Sequence, residues 1–366
     1  MPTPAHARNT SATRRRVLGA GCALALLPAF AGVAAETAEH KLSVASGPAL
    51  PLGKAAERWA ASLREPGDGA IAVKLFPGAG LAGRDPAREL LALAEGRADL
   101  AVGSTLQWAL QVPALGVFSL PWIAPQDTQL LALAQDATLH ALLAARLAAA
   151  GVHLVALAPL GYREIAAVKA VRAPADLAGL RLRAIASPLL QDVLRALGAA
   201  PQTMSFVQAQ AAFASGQLDG QEGPPTSLAA GRVVASGHGH VTDLGGVAEV
   251  MAFAVRTPVW SAWTRAQRDR AAAAASRAIA DTDAMAREQA ARGELAAQGA
   301  TVLRLTAAGQ QAFRAAARDA DRRWRDVVGA DVVEAAERAL AAPAQGSAPP
   351  VAADPVPPSP ASAPPR

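Results

Sequence analysis

The chain is expected to fold as an α/β protein of two lobes, on three observations. Strand-length apolar runs alternate with helix-length amphipathic ones from residue 41 onward, which is the rhythm of βαβ units. A second set of such runs begins after residue 160. Between a basic, apolar start and a Pro/Ala-rich end lies a body of about 300 residues, enough for two lobes.

In the first set, residues 41–45 read as a short strand and 53–64 as a helix with Trp59 and Leu63 at helical spacing. Residues 71–76 form a strand, 86–93 a helix and 100–103 a short buried strand. Residues 127–149 read as one long Leu/Ala helix closed by Gly151, and 152–156 as a strand. In the second set, residues 180–183 form a strand that ends at Arg183. Ser187-Pro188 then offers a helix cap and a first-turn proline. Residues 206–215 are a helix, and 237–241 and 250–256 are strands. Residues 266–297 read as a single very long Ala-rich helix, and 306–328 as another, capped by Thr306.

The N-terminus reads as an address. Thr13-Arg14-Arg15-Arg16-Val17-Leu18 precedes an apolar run over residues 20–31. A basic start, a short apolar middle and a small-residue end describe a secretory signal peptide. The paired arginines give it the form of a twin-arginine signal. Cleavage after Val33-Ala34-Ala35 would remove residues 1–35 and leave the mature protein in the periplasm. The apolar run is shorter than the ~20 residues that span a bilayer. Cys22 is the only cysteine, and Gly19 stands where lipid attachment would need a large apolar residue. Without Cys22 the mature chain has no thiol for a disulfide, a nucleophile or a metal. Residues 342–366 are almost entirely Ala, Pro, Ser, Gly and Val, and read as a disordered tail.

Four of the 35 basic residues precede Glu36, and without them the formal charge falls from +5 to +1. No basic block with interleaved aromatics remains, so no nucleic-acid partner is expected. Gly78-Ala79-Gly80-Leu81-Ala82-Gly83 has the dinucleotide-binding spacing between a strand and a helix. It raises the alternative of an exported nucleotide-dependent oxidoreductase. However, Pro77 separates the strand from the first glycine. Asp99 also starts the next strand, whereas the fingerprint places its acid at a strand end. No cofactor is therefore expected. His238-Gly239-His240 puts two imidazoles on one face of a strand, a spacing that metal sites use, but no further His or Cys cluster accompanies it. No metal is expected. There is no G-x-S-x-G, H-E-x-x-H or Walker motif, and Asp219 with Glu222 lacks a partner nucleophile. No catalytic residue and no enzyme activity are expected.

Arg163 and Arg183 remain. A guanidinium carries a fixed charge and a planar fork of donors that fits a carboxylate in a bidentate way. A buried carboxylate needs such pairing, because its desolvation is otherwise costly. Arg181, two residues before Arg183, is the built-in control.

Three stretches carry a resemblance: Gly161-Tyr162-Arg163, then Gly179-Leu180-Arg181-Leu182-Arg183 through Ser187-Pro188, then Asp219-Gly220-Gln221-Glu222. In this order and spacing they resemble the periplasmic solute-binding proteins of TRAP transporters, the DctP-type family, over residues 40–340. The pattern there reads G-x-R, G-L-K-x-R-x-x-x-S-P and D-G-Q-E-N. Phe76-Pro77-Gly78 and Leu120-Pro121-Trp122 also fit its turns. The resemblance implies a two-lobed periplasmic binding protein fold with hinge strands and a long bracing helix. Residues 40–160 plus 249–288 would form the first lobe, and 161–248 plus 289–341 the second. It implies a small organic acid as ligand and the integral membrane subunits of a TRAP transporter as partners. A binding protein of a signalling system is the alternative on the same fold. Arg183 would form the fixed salt bridge to the ligand carboxylate, and Arg163 a second, more variable contact. Gly223 stands where the family has Asn, so only its backbone can line the pocket. Phe206 would either stack on the ligand's carbon skeleton or fill the core. Ser46 and Ser104 would face the arginines from the first lobe.

Overall fold

The computed structural model describes residues 39–204 and 206–342. The expected signal, with Cys22, and the tail from residue 343 lie outside the described residues, as do the side chains of Phe206 and Val207.

The chain begins with β1 (His40–Val44), α1 (Pro51–Arg64), β2 (Val73–Phe76), α2 (Glu89–Ala94), β3 (Leu100–Ser104), α3 (Thr105–Trp108), α4 (Asp127–Gln135), α5 (Ala137–Ala149) and β4 (Val152–Tyr162). It continues with β5 (Glu164–Ala167), α6 (Pro174–Leu177), β6 (Arg181–Ala184), α7 (Pro188–Ala196), β7 (Ala200–Thr203), α8 (Phe206–Ala214), β8 (Gly220–Gly223), α9 (Pro225–Ala230) and β9 (His240–Asp243). It ends with β10 (Ala248–Arg256), α10 (Thr257–Ala262), α11 (Arg265–Thr282), α12 (Ala284–Ala297), β11 (Thr301–Arg304), α13 (Ala307–Val328) and α14 (Ala330–Ala341).

Two sheets organise these elements. The first has the order β2-β1-β3-β10-β4, and the second β11-β9-β5-β8-β6-β7. In the first, β1 runs parallel to β2 and β3, while β10 is antiparallel to β3 and β4. The buried strands have the expected composition: β3 is buried throughout, and β10 is buried except at Arg256. Trp59 of α1 packs edge-on against Phe253 of β10 at 5.2 Å and donates from Nε1 to the Ala271 carbonyl of α11 at 3.1 Å. One side chain thus joins two helices to the sheet, and burying each such apolar side chain contributes roughly 1.5–3 kcal/mol.

The chain passes between sheets at Arg163, the single residue between β4 and β5, and again over residues 244–247 between β9 and β10. The Arg163 amide donates to the Val247 carbonyl at 3.0 Å, which ties the two crossings together.

Several elements differ from the sequence expectation. The long helix over 127–149 is broken at Asp136, where α4 and α5 meet at a 61° bend. The Asp136 carboxylate accepts from the Leu139 amide at 2.7 Å and so caps the second segment. The helix over 266–297 is broken at Asp283, whose φ of 42° is left-handed. Asp tolerates that conformation, and its carboxylate accepts from the Ala286 amide. The bracing helix is therefore two segments, with α11 against α1 and β4, and α12 against α9, β4 and β11. The strand expected to end at residue 156 runs on to Tyr162. Pro159 is tolerated there because β4 is the sheet edge and a register shift lies opposite it. The strand expected over 237–241 begins only at His240. His238 stands outside it, its ring 4.6 Å from that of Phe213, so the two imidazoles do not share a strand face.

Candidate functional site

Between the sheets opens a cleft of about 370 Å³. Ser46 follows β1 and Ser104 ends β3 on one side; Arg183 lies near the end of β6 and Gly223 ends β8 on the other. The carboxyl ends of strands are where open α/β sheets leave room for ligands. Of the residues expected at the site, Arg183, Arg163, Gly223, Ser46 and Ser104 all line this cleft. The sixth, Phe206, opens α8, and its side chain lies outside the described residues.

The two arginines are in opposite states. Arg163 is 7% exposed. Its Nε donates to Glu222, and its Nη1 donates to Glu249 Oε2 at 2.8 Å. Glu249 also accepts from the Ser104 hydroxyl, and Glu222 Oε1 accepts from the Ile185 amide at 2.9 Å. Burial pulls the Arg163 pKa down, but the charges of Glu222 and Glu249 outweigh it and raise it on balance. This buried network joins β3 and β10 of the first sheet to β8 and to Ile185, the residue after β6, in the second.

Arg183 is half-buried, and among the described residues its one hydrogen bond runs from Nε to the Met204 carbonyl at 3.3 Å. Among the described residues no carboxylate lies within ion-pair distance of it. Burial lowers its pKa; Glu222 pulls the other way, and the like charge of Arg163 adds to the fall. A guanidinium so placed keeps its charge and leaves most of its donors without a partner among the described residues.

Arg181 is spoken for. Its guanidinium grips Asp219 through two bonds of 2.8 and 2.9 Å, and its amide adds a third. The Arg181 side chain is the chief cause that holds Asp219 down at about 2. Arg181 is absent from the cleft lining.

Two further acids were not singled out from the sequence. Glu249 interrupts the apolar run of β10, and an acid inside such a run needs a buried partner. That was the available signal. Glu288 of α12 also lines the cleft. It accepts from the Thr226 amide at 2.9 Å and the Thr226 hydroxyl at 2.6 Å. Burial raises it to about 7 against the pull of the Thr226 bonds, and the charges of Glu249 and Glu164 add to the rise. Gly161 makes room for it: a Cβ there would stand 2.9 Å from Glu288 Cγ, and its φ of 139° favours glycine. The first glycine of the Gly161-Tyr162-Arg163 stretch is thus explained by packing.

Ser46 Oγ is buried and has no partner among the described residues. A buried hydroxyl without a partner is costly, and Ser46 is a second cleft residue with a polar group left unsatisfied.

The glycine-rich stretch forms a tight turn. Gly78 and Gly83 have φ of 67° and 70°, and residues 80–82 make one 3-10 turn. The Ala79 amide donates to the Val44 carbonyl at 3.0 Å, closing the turn onto the end of β1. Residues 78–83 are not part of the cleft lining. Among the described residues no group of three metal-ligating side chains occurs.

The profile of the bacterial extracellular solute-binding protein family 7, DctP, matches residues 42–325. The chain belongs to this family. The C4-dicarboxylate-binding periplasmic protein DctP of Rhodobacter capsulatus is 30% identical over 217 residues, 58% of this chain and 64% of that relative. The match therefore spans less than two thirds of that relative's length. A TRAP periplasmic solute-binding protein from Ralstonia eutropha H16, solved with bound (S)-2-acetolactate, is 39% identical with a TM-score of 0.78. That likeness covers 83% of this chain and 98% of that one. A counterpart from Shewanella oneidensis, solved with succinate, shares the two-lobed fold at a TM-score of 0.74 and 21% identity, over 82% of this chain and 99% of that one.

Proposed function

We propose that this member of the DctP family captures a small organic acid in the cleft, outside the cytoplasm, and delivers it to the integral membrane subunits of a TRAP transporter. It performs no chemistry on the ligand. The observation that carries this reading is the unspent guanidinium of Arg183 in a half-buried cleft. A carboxylate entering there recovers its lost hydration through a bidentate, charge-assisted pair. Ser46, on the opposite wall, supplies a bond that pulls the first sheet toward the ligand. The relative from Ralstonia eutropha, whose bound molecule is itself a carboxylate, supports the same reading.

Export by the twin-arginine route and residence in the periplasm belong to this proposal, as do lobes over 40–160 plus 249–288 and 161–248 plus 289–341. Contacts made by both walls to one ligand exist only when the cleft is closed, so binding favours closure.

The test is a thermal-shift screen of carboxylic acids on the purified mature protein, with mass spectrometry of any co-purifying acid. At a hundredfold its dissociation constant a ligand adds ~2.7 kcal/mol to stability. Arg183→Ala should abolish the shift, and Arg183→Lys should weaken it by losing the planar fork. Arg181→Ala should shift like the wild type. If Arg183→Ala responds to the same acid as strongly as the wild type, the reading is wrong.

A further inference from the structure

Resting on the carboxylate reading of the cleft, we infer that the ligand is a monocarboxylate with an uncharged, short and partly alkyl remainder, and that the cleft rejects dicarboxylates of the same skeleton. The charge distribution on its walls carries this. Among the described residues two guanidiniums line the cleft, and only one lacks a carboxylate partner. Arg163 already serves Glu222 and Glu249, while Arg183 has no carboxylate partner among the described residues. Among the described residues no other Lys, Arg or His lines the cleft. The remaining charged groups on its wall, Glu222, Glu249 and Glu288, are all acids.

The acids are also unequally satisfied. Glu222 and Glu249 are paired with Arg163, whereas Glu288 has bonds to Thr226 and no cationic partner among the described residues. A ligand anchored by one carboxylate on Arg183 therefore shares the cleft with an acid that no cation balances. A second carboxylate would lose its water there and meet like charge with no cation to pair it. A hydroxyl in the same place finds carboxylate acceptors instead, and a hydroxyl or keto oxygen nearer the first lobe finds the unpartnered Ser46.

Shape agrees with charge. Leu52, Leu160, Ile185, Pro224 and Leu228 supply apolar wall, and Gly223 brings no side chain. The volume of about 370 Å³ sits at the low end of the roughly 300–1,000 Å³ of small-molecule sites. The cleft accordingly suits a short hydroxy or keto acid with an alkyl end.

Isothermal titration calorimetry at pH 8 tests this with matched pairs in which a methyl is exchanged for a carboxylate. 2-Hydroxybutanoate is set against malate, 2-hydroxy-2-methylbutanoate against 2-methylmalate, and butanoate through hexanoate against the corresponding diacids. Within each pair that gives heat, the monocarboxylate should bind at least about 100-fold more tightly, equivalent to about 2.8 kcal/mol. Glu288→Gln keeps the side chain's size and removes one acid. It should narrow the ratio at least tenfold in favour of the diacid. A diacid that binds the wild type as tightly as its monocarboxylate partner overturns the inference. If Arg183→Ala abolishes that diacid's binding, the carboxylate reading survives the loss. Silence across the whole panel overturns both.

Discussion

Replacing Arg163 by Met removes one buried guanidinium and keeps an apolar stem of similar length. The structure sets the scale of the response. Glu222 and Glu249 are 2% and 4% exposed, and both rely on Arg163 for their countercharge. Taking one partner from a buried ion pair costs roughly 3–5 kcal/mol, because a charge is left uncompensated. Here two acids are left, joined only to the Ser104 hydroxyl and the Ile185 amide. Against a total stability of about 5–15 kcal/mol, that is about a fifth of the total or more. At about 2–4 °C per kcal/mol for a large domain, the melting temperature should fall by roughly 6–20 °C. Urea unfolding followed by tryptophan fluorescence reads the loss without screening the charges, and the chain carries six tryptophans. One signature separates this cause from a packing defect. The triple variant Arg163→Met, Glu222→Gln, Glu249→Gln should recover much of the stability, because neutral amides in those places cost less to bury. A loss below about 1 kcal/mol at pH 8, or a triple variant no more stable than the single one, would refute the network as the link between the sheets.

Burial is the largest cause of raised pKa values at Glu288 and Glu164, each at about 7, and at Glu89, at about 8. The folded protein keeps protons on these groups that the unfolded chain releases near 4.5. Their contribution is therefore full below that pH and is lost as pH rises through 7 to 8. The melting temperature without ligand should fall between pH 5 and 8.5, and Glu288→Gln should flatten the fall; a constant value in the wild type would contradict the burial of these acids. Gly53→Ala would place a Cβ 2.0 Å from the Gly47 carbonyl oxygen. An exposed helical Gly→Ala normally gains about 1 kcal/mol. Here both the melting temperature and the ligand affinity should drop, because the displaced segment carries Ser46, and a gain in stability would show that the loop yields freely. Gly80→Ala meets no atom within 4 Å and needs no left-handed backbone. Binding and melting should stay at wild-type values, and a clear loss of binding would bring the glycine-rich turn back as a ligand element.

Local chemistry was legible wherever it sufficed. The apolar runs of β3 and β10 read directly as strands, the first of them as a buried one. Ser187 and Thr306 cap the helices they were expected to cap, accepting from Leu190 and Gly309. The family motifs pointed to the cleft through Arg163, Arg183 and Gly223. The breaks at Asp136 and Asp283 were not legible, because the sequence on both sides of each favours helix equally. Only packing of the two halves on different neighbours decides where a helix turns. The short β8 carries no apolar period. It is a strand because Gly220 lets it approach β5, where a Cβ would stand 2.3 Å from the Ala166 carbonyl oxygen. Tertiary structure alone decided which charges are spent. Arg163 finds its acids 59 and 86 positions away. Arg181 and Arg183 are chemically equal and two residues apart on one strand, so no local rule tells them apart. The pairing of Leu182 with Gly220 and of Arg183 with Gln221 sets the register of β6 against β8. That register puts Asp219 beside Arg181 and an uncharged amide beside Arg183. One arginine is thereby neutralised, and the other lines the cleft with its charge unpaired.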